Sequence, residues 1–153
     1  MESASRTYHY TFDFPDGRKT SFVVSLDSIS QCANSCPSPP PPWARLEHHQ
    51  CEVCPLLLDD YLFCPVAVSI STLIAEFSST VSYSACKVSC VAPERTIVKE
   101  TTVQDGLASI LGLLMATSGC PIMEPLRPLA RFHLPFSTVD ESLFRFLAAY
   151  MIR

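Results

Sequence analysis

Tyr8, Tyr10, Phe12 and Phe14 alternate with polar residues, so they fall on one face of an extended strand. Pro15-Asp16-Gly17-Arg18 follows as a turn, with proline presetting φ and Gly17 free to take a positive one. Phe22, Val24 and Leu26 resume the alternation, which predicts a hairpin over residues 7–26. His9 falls on the opposite, solvated face and receives no role. Helical spacing sets in at Val66, Ile70, Leu73, Ile74 and Phe77, with Pro65 suited to the first turn. A second hairpin is expected over 82–91 and 95–102, turning at Ala92-Pro93-Glu94-Arg95. Val103, Leu107, Ile110, Leu111 and Leu114 form the apolar face of the next helix, with Thr102 and Asp105 as a cap-like start and Gly119 as its stop. Pro121, Pro125 and Pro128 break the chain into short helical turns. Phe132-His133-Leu134-Pro135-Phe136 reads as an extended connector. Ser137 or Thr138, the latter with Glu141 at capping-box distance, opens a last helix with the stripe Val139, Leu143, Phe146, Leu147 and Tyr150.

Strands in adjacent pairs imply an antiparallel sheet. The expectation is an α+β domain: about four strands from two hairpins, packed against three to four helices. The chain has 153 residues, 48% hydrophobic and 17% charged, which suits one packed domain over 1–153. Residues at about 27–65 carry no periodicity; Ser, Asn and Pro dominate, and Pro39 to Pro42 should form polyproline II. A proline run with Arg45 nearby could meet an SH3-like protein partner, but a stiff spacer before the cysteine loop is the preferred reading. Trp43 is expected to pack against the domain.

The net charge of −4 comes with no basic patch, which excludes nucleic acid as a partner. The apolar run Leu107 to Ala116 is too short to span a bilayer, so no membrane role is expected. The first residues lack the apolar core of a signal peptide, and a cytoplasmic location is expected.

Eight cysteines are many for a chain of this size in a reducing compartment, and their spacing points to metal or thiol chemistry. Cys51 and Cys54 form a C-x-x-C pair, Cys64 follows in Cys64-Pro65, and Cys120 lies in Ser118-Gly119-Cys120-Pro121. Two thiolates on one turn can share an ion, and zinc wants two more sulfur or nitrogen ligands. Cys64 and Cys120 are candidates, with His49 in reach by sequence and His133 from the connector. Four thiolates beside prolines also suit an iron–sulfur cluster. An ion joining Cys51, Cys54 and Cys64 would account for so long an irregular loop. Two rivals remain: Cys51 and Cys54 cycling as a dithiol with His49 activating a thiol, and thiols that hold no metal. Cys86 and Cys90 share a strand face about 13 Å apart, too far to chelate one ion. They read as small apolar side chains.

Other chemistries fail on residues. Pro55 stands where c-type haem attachment needs histidine, no H-x-E precedes the cysteine pair as a deaminase requires, and the four glycines build no phosphate loop. A thioredoxin-like pair would open a helix after a strand; this one follows prolines. Asp59-Asp60 reads as an acidic loop tip. Glu124, Arg127 and Arg131 align on a helix face, solvated or, in a sharper reading, an anion site beside Cys120.

Together His49-Gln50-Cys51-x-x-Cys54-Pro55, Cys64-Pro65-Val66-Ala67, Pro93-Glu94-Arg95-Thr96, Ser118-Gly119-Cys120-Pro121 and Ala130-Arg131-Phe132-His133-Leu134-Pro135-Phe136 resemble a family of uncharacterised bacterial domains. The resemblance runs from the first hairpin to the last helix. It implies that Cys51, Cys54, Cys64, Cys120, His49 and His133 belong to a shared pattern, with Cys32, Cys36, Cys86 and Cys90 outside it. It brings no activity. His133, set among apolar neighbours, is expected to be neutral, using one nitrogen for a metal or a thiol proton or simply bonding loop backbone.

Overall fold

The computed structural model describes residues 6–26 and 39–152. Cys32, Cys36 and much of the proline- and serine-rich stretch lie outside them. Strands β1 (Arg6–Asp13), β2 (Lys19–Leu26), β3 (Ala85–Val91) and β4 (Thr96–Thr102) form one antiparallel sheet in the order β2-β1-β3-β4. In the first hairpin Tyr8 stands opposite Val24 and Tyr10 opposite Phe22. Its turn closes with the Phe14 amide donating to the Arg18 carbonyl at 2.9 Å and Gly17 at φ 87°. Tyr10 pairs with Cys90 across β1 and β3. Both hairpins and the α+β class are therefore as the alternation predicts.

The sheet has one wet and one dry face. Tyr8, Tyr10, Phe12, Phe22, Val24, Leu26, Val88 and Cys90 are buried on the dry face, whereas His9, Val23, Val91 and Val98 on the other are exposed. Four helices follow the chain: α1 (Pro65–Phe77), α2 (Val103–Ala116), the short α3 (Arg127–Arg131) and α4 (Val139–Met151). Core contacts from α1 and α2 come through Leu73, Phe77, Val103, Ile110, Leu113 and Leu114. Helix α2 lies very close to the sheet at Gly106, where an added Cβ would stand 2.5 Å from the Phe12 ring.

Three expectations change. Ile74 on α1 is exposed, because the helix buries Ser69, Ser71, Leu73 and Phe77 instead. Thr102 precedes α2 without a side-chain cap; it is Thr101 whose hydroxyl donates to Asp105, at 2.7 Å. On α4 the capping box of Thr138 and Glu141 forms as expected, yet no residue of that helix is buried. Val139, Leu143 and Leu147 of its supposed core stripe face solvent.

Gly106→Ala should destabilise the fold by about 1–3 kcal/mol, because Phe12 is fully buried and cannot yield. Gly112→Ala on the same helix meets nothing within 4 Å and should stabilise by about 0.5–1 kcal/mol through helix propensity. Urea titration of the two variants checks the pair.

Candidate functional site

Two of the candidate cysteines, Cys64 and Cys120, flank the same end of a helix pair. Helices α1 and α2 run antiparallel: Ser69 donates to the Leu114 carbonyl at 3.4 Å, while the Val103 amide meets the Ser84 carbonyl just beyond the far end of α1. Cys64, which precedes α1, and Cys120, which follows α2, therefore share an end. The Cys54 amide donates to the Cys51 carbonyl at 2.9 Å, so the C-x-x-C pair sits on one tight turn. Cys51 is exposed, Cys54 and Cys64 are half-buried, Cys120 is buried, and all are unpaired thiols. His49 is exposed. Among the described residues no three His, Cys, Asp or Glu side chains stand close enough to hold one metal ion.

The loop owes its order to other contacts. The Leu46 amide donates to the Leu62 carbonyl at 3.0 Å, the Cys64 amide to that of Ala44 at 2.8 Å, and Gln50 Nε2 to the Leu56 carbonyl at 2.7 Å. Ala44, Leu46 and Leu56 are its buried anchors. Trp43 is 46% exposed, so about half of its side chain packs against the domain. Pro41 has polyproline-like angles, and Arg45 pairs with Glu47 at 3.1 Å. Asp59 and Asp60 are an exposed turn tip.

His133 lies elsewhere, where the connector crosses the dry face of the sheet. Its Nε2 is 2.5 Å from the Tyr10 hydroxyl, which is itself 3.0 Å from the Ser109 hydroxyl of α2. The Phe136 amide donates to Ser109 Oγ at 3.3 Å. Tyr8 packs edge-on against the imidazole with centroids 5.1 Å apart. Phe136 N–H is the fixed donor of this chain; each hydroxyl can donate or accept, and the neutral ring carries its one proton on either nitrogen. Among the described residues Nδ1 has no hydrogen-bond partner.

Burial, reinforced by the nearby Arg145 cation, lowers the His133 pKa to about 4, so the ring is neutral at pH 7. Burial raises the Tyr10 hydroxyl above its ordinary value and the Cys90 thiol to about 11. Neither becomes a nucleophile at neutral pH. Arg145 on α4 donates to the Leu129 carbonyl at 2.9 Å and also to that of Phe132. Burial depresses its pKa too.

Three cavities meet at Arg145. One of about 430 Å³ lies towards the second hairpin, lined by Arg6, Tyr8, Cys90, Glu94, Arg95 and His133 among others. Another of about 440 Å³ opens on α2, with Lys99, Asp105 and Ser109. The largest, about 1030 Å³, is a groove between α3 and α4 with Phe132, Phe144 and Ile152 in its walls. In that groove Arg127 is paired with Glu124 at 2.5 Å, and the exposed Arg131 lies over the Phe132 ring.

Tyr10, Ser109, Arg6, Arg95 and Arg145 were not expected at a site. Tyr10 reads as core, and Ser109 reads as an ordinary helix position. Arg145 did leave a signal, as the one cation among the ten residues Leu143 to Ile152.

A small α+β domain with a buried neutral histidine where connector, sheet and helices meet is thus the class defined here. The chain belongs to the family described as Domain of unknown function (DUF6901), which matches residues 7–153. No curated protein and no solved structure matches it. No helix among the described residues is long and apolar enough to cross a membrane.

The His133 pKa gives a pH window. The unfolded ring, near 6.5, takes up a proton that the folded ring refuses down to about 4. Stability is therefore full above pH 6.5 and is lost as pH falls, by up to about 3 kcal/mol. Urea unfolding from pH 7 to 4.5 should show this slope, and His133→Gln should flatten it.

Proposed function

We propose that this domain binds a small molecule through its carboxylate or phosphate group, in the cavity between the second hairpin and the connector. The observation carrying this is the convergence of three arginines on the imidazole that closes the chain Phe136–Ser109–Tyr10–His133 and whose Nδ1 has no hydrogen-bond partner among the described residues. Around it stand Arg6, Arg95 and Arg145 against one carboxylate, Glu94, already engaged by Arg6 at 3.0 Å. Arginines beside a neutral ring fit an oxyanion better than a cation or a neutral apolar ligand. The volume of about 430 Å³ suits a metabolite-sized ligand. With Cys90 and Tyr10 both held protonated, the site favours recognition over covalent chemistry.

A second reading keeps the thiols. Cys51 and Cys54 share a turn, and Cys64 and Cys120 lie at the same end of the helix pair. Zinc or an iron–sulfur cluster would need the loop to close on them, with His49 as a further donor. A dithiol–disulfide couple would need Cys51 and Cys54 alone.

Calorimetric titration with inorganic phosphate and with succinate tests the first reading. Saturable one-site binding of at least one is expected, weakened about tenfold or more by Arg95→Gln. Tyr10→Phe should weaken it as well and cost about 1–2 kcal/mol of stability, since Ser109 and His133 lose their partner. Heat changes indistinguishable from dilution for both probes would refute the site. Zinc titration of the reduced chain tests the second reading. One equivalent bound, and lost in Cys51→Ser, supports it; a failure to retain zinc, with no visible absorbance after anaerobic iron and sulfide loading, removes the metal.

A further inference from the structure

Helix α4 has no buried residue, although its sequence is that of a core helix. Val139 and Met151 are each 83% exposed, Leu143 and Leu147 more than half, and Phe144 74%. Val139, Leu143, Leu147 and Met151 recur every fourth residue and so form one straight ridge along the helix. The inner side of α4 is taken by Arg145, which holds the Leu129 and Phe132 carbonyls, while Tyr150, seven residues after Leu143, flanks the ridge and donates to the Pro125 carbonyl at 2.6 Å. Those bonds fix the apolar ridge outward.

We infer that this ridge is the contact between two copies of the chain, packed antiparallel about a two-fold axis at the level of Arg145. The spacing supplies the argument. A two-fold contact needs a surface complementary to itself. Inverted about position 145, the ridge maps onto itself: Val139 meets Met151 of the second copy, and Leu143 meets Leu147. Meeting along the whole ridge needs the two helices to cross at a shallow angle, about 20°, as in helix bundles. The face is apolar through its centre, with its one charged side chain, Asp140, at an end, as a core-and-rim contact requires. Phe144 and Phe132, 61% exposed, continue the apolar surface into the groove beside α4. Covering the ridge and Phe144 on both copies removes on the order of 1000 Å² from water, the lower bound for a specific interface. The dimer should therefore be reversible. It uses none of the side chains assigned to the oxyanion cavity except through the placement of Arg145.

Sedimentation of the full chain over a concentration series is the test. A monomer–dimer equilibrium is expected, and Leu143→Lys should weaken it about tenfold or more. Far-UV circular dichroism should stay unchanged, because that side chain is already exposed. Geometry is checked by a charge pair. Val139→Lys alone should weaken the dimer, and adding Met151→Glu should restore it, since the two positions face each other only in the antiparallel arrangement. A chain that stays monomeric at all concentrations overturns the inference, as does a dimer indifferent to Leu143→Lys. A monomer that instead co-floats with phosphatidylserine vesicles assigns the ridge to a lipid surface and overturns it too.

Discussion

The buried hydroxyl of Tyr10 is the constraint on which the other half of the molecule depends. Tyr10 is fully buried, central on the dry face, and paired with Cys90 across the sheet. A phenol there costs free energy unless its oxygen is bonded on both sides. One partner comes from α2 and the other from the connector, so a single side chain ties sheet, helix and connector together. Tyr8 repeats the device two residues earlier, its hydroxyl donating to the Ala130 carbonyl at 3.5 Å. The C-terminal segments are thus held largely by polar bonds to a strand, while α1 and α2 are held by apolar packing. That division explains why α4, attached through Arg145 and Tyr150, buries so little of its own apolar surface.

The cysteine end follows a different logic. A loop of 39–64 without regular structure is normally held by an ion or by local backbone bonds. Here backbone bonds at Leu46 and Cys64 and the buried Ala44, Leu46 and Leu56 do that work. Val53, Leu57, Leu58, Tyr61 and Leu62 are left facing solvent. An ordered loop that anchors itself leaves its thiols available, which is why their chemistry stays separate from the order of the loop.

Local rules made the hairpins and the capping box readable, because each is fixed by neighbours in sequence: alternation for the strands, Gly17 for the first turn, Thr138 with Glu141 for α4. The α4 stripe was readable as a period but not as a burial, since a period tells which residues share a face and not what covers it. The site was less legible. His133 stood out as a polar residue in an apolar connector, and the structure gives it a buried partner; but that partner is 123 positions away in sequence. No spacing rule reaches from Tyr10 to His133, and tyrosine alternation looks the same whether the hydroxyl is idle or engaged. The four-cysteine grouping rests on a shared Cys-Pro context, and context does not fix position: among the described residues no three such side chains stand close enough to hold one ion.

Phe136 shows how the connector is made to serve the cavity. Its φ of 60° puts a bulky side chain in the left-handed region, at a cost of about 1–3 kcal/mol. Such a conformation persists only where its surroundings over-determine it. The Phe136 amide is held by Ser109 Oγ, its ring sits under the Lys99 ammonium at 5.9 Å, and the capping box begins two residues later at Thr138. Pro135 before it restricts the chain further. The reversal lets the connector leave the sheet immediately after His133 and enter α4 at an angle that returns Arg145 to the same point. Relaxing Phe136 to an ordinary φ would release its amide from Ser109 and swing α4 away, separating the imidazole from the guanidinium. The strain is therefore coupled to the one juxtaposition on which the cavity depends, and Ser109, which accepts from the Phe136 amide and shares a hydrogen bond with Tyr10, transmits it.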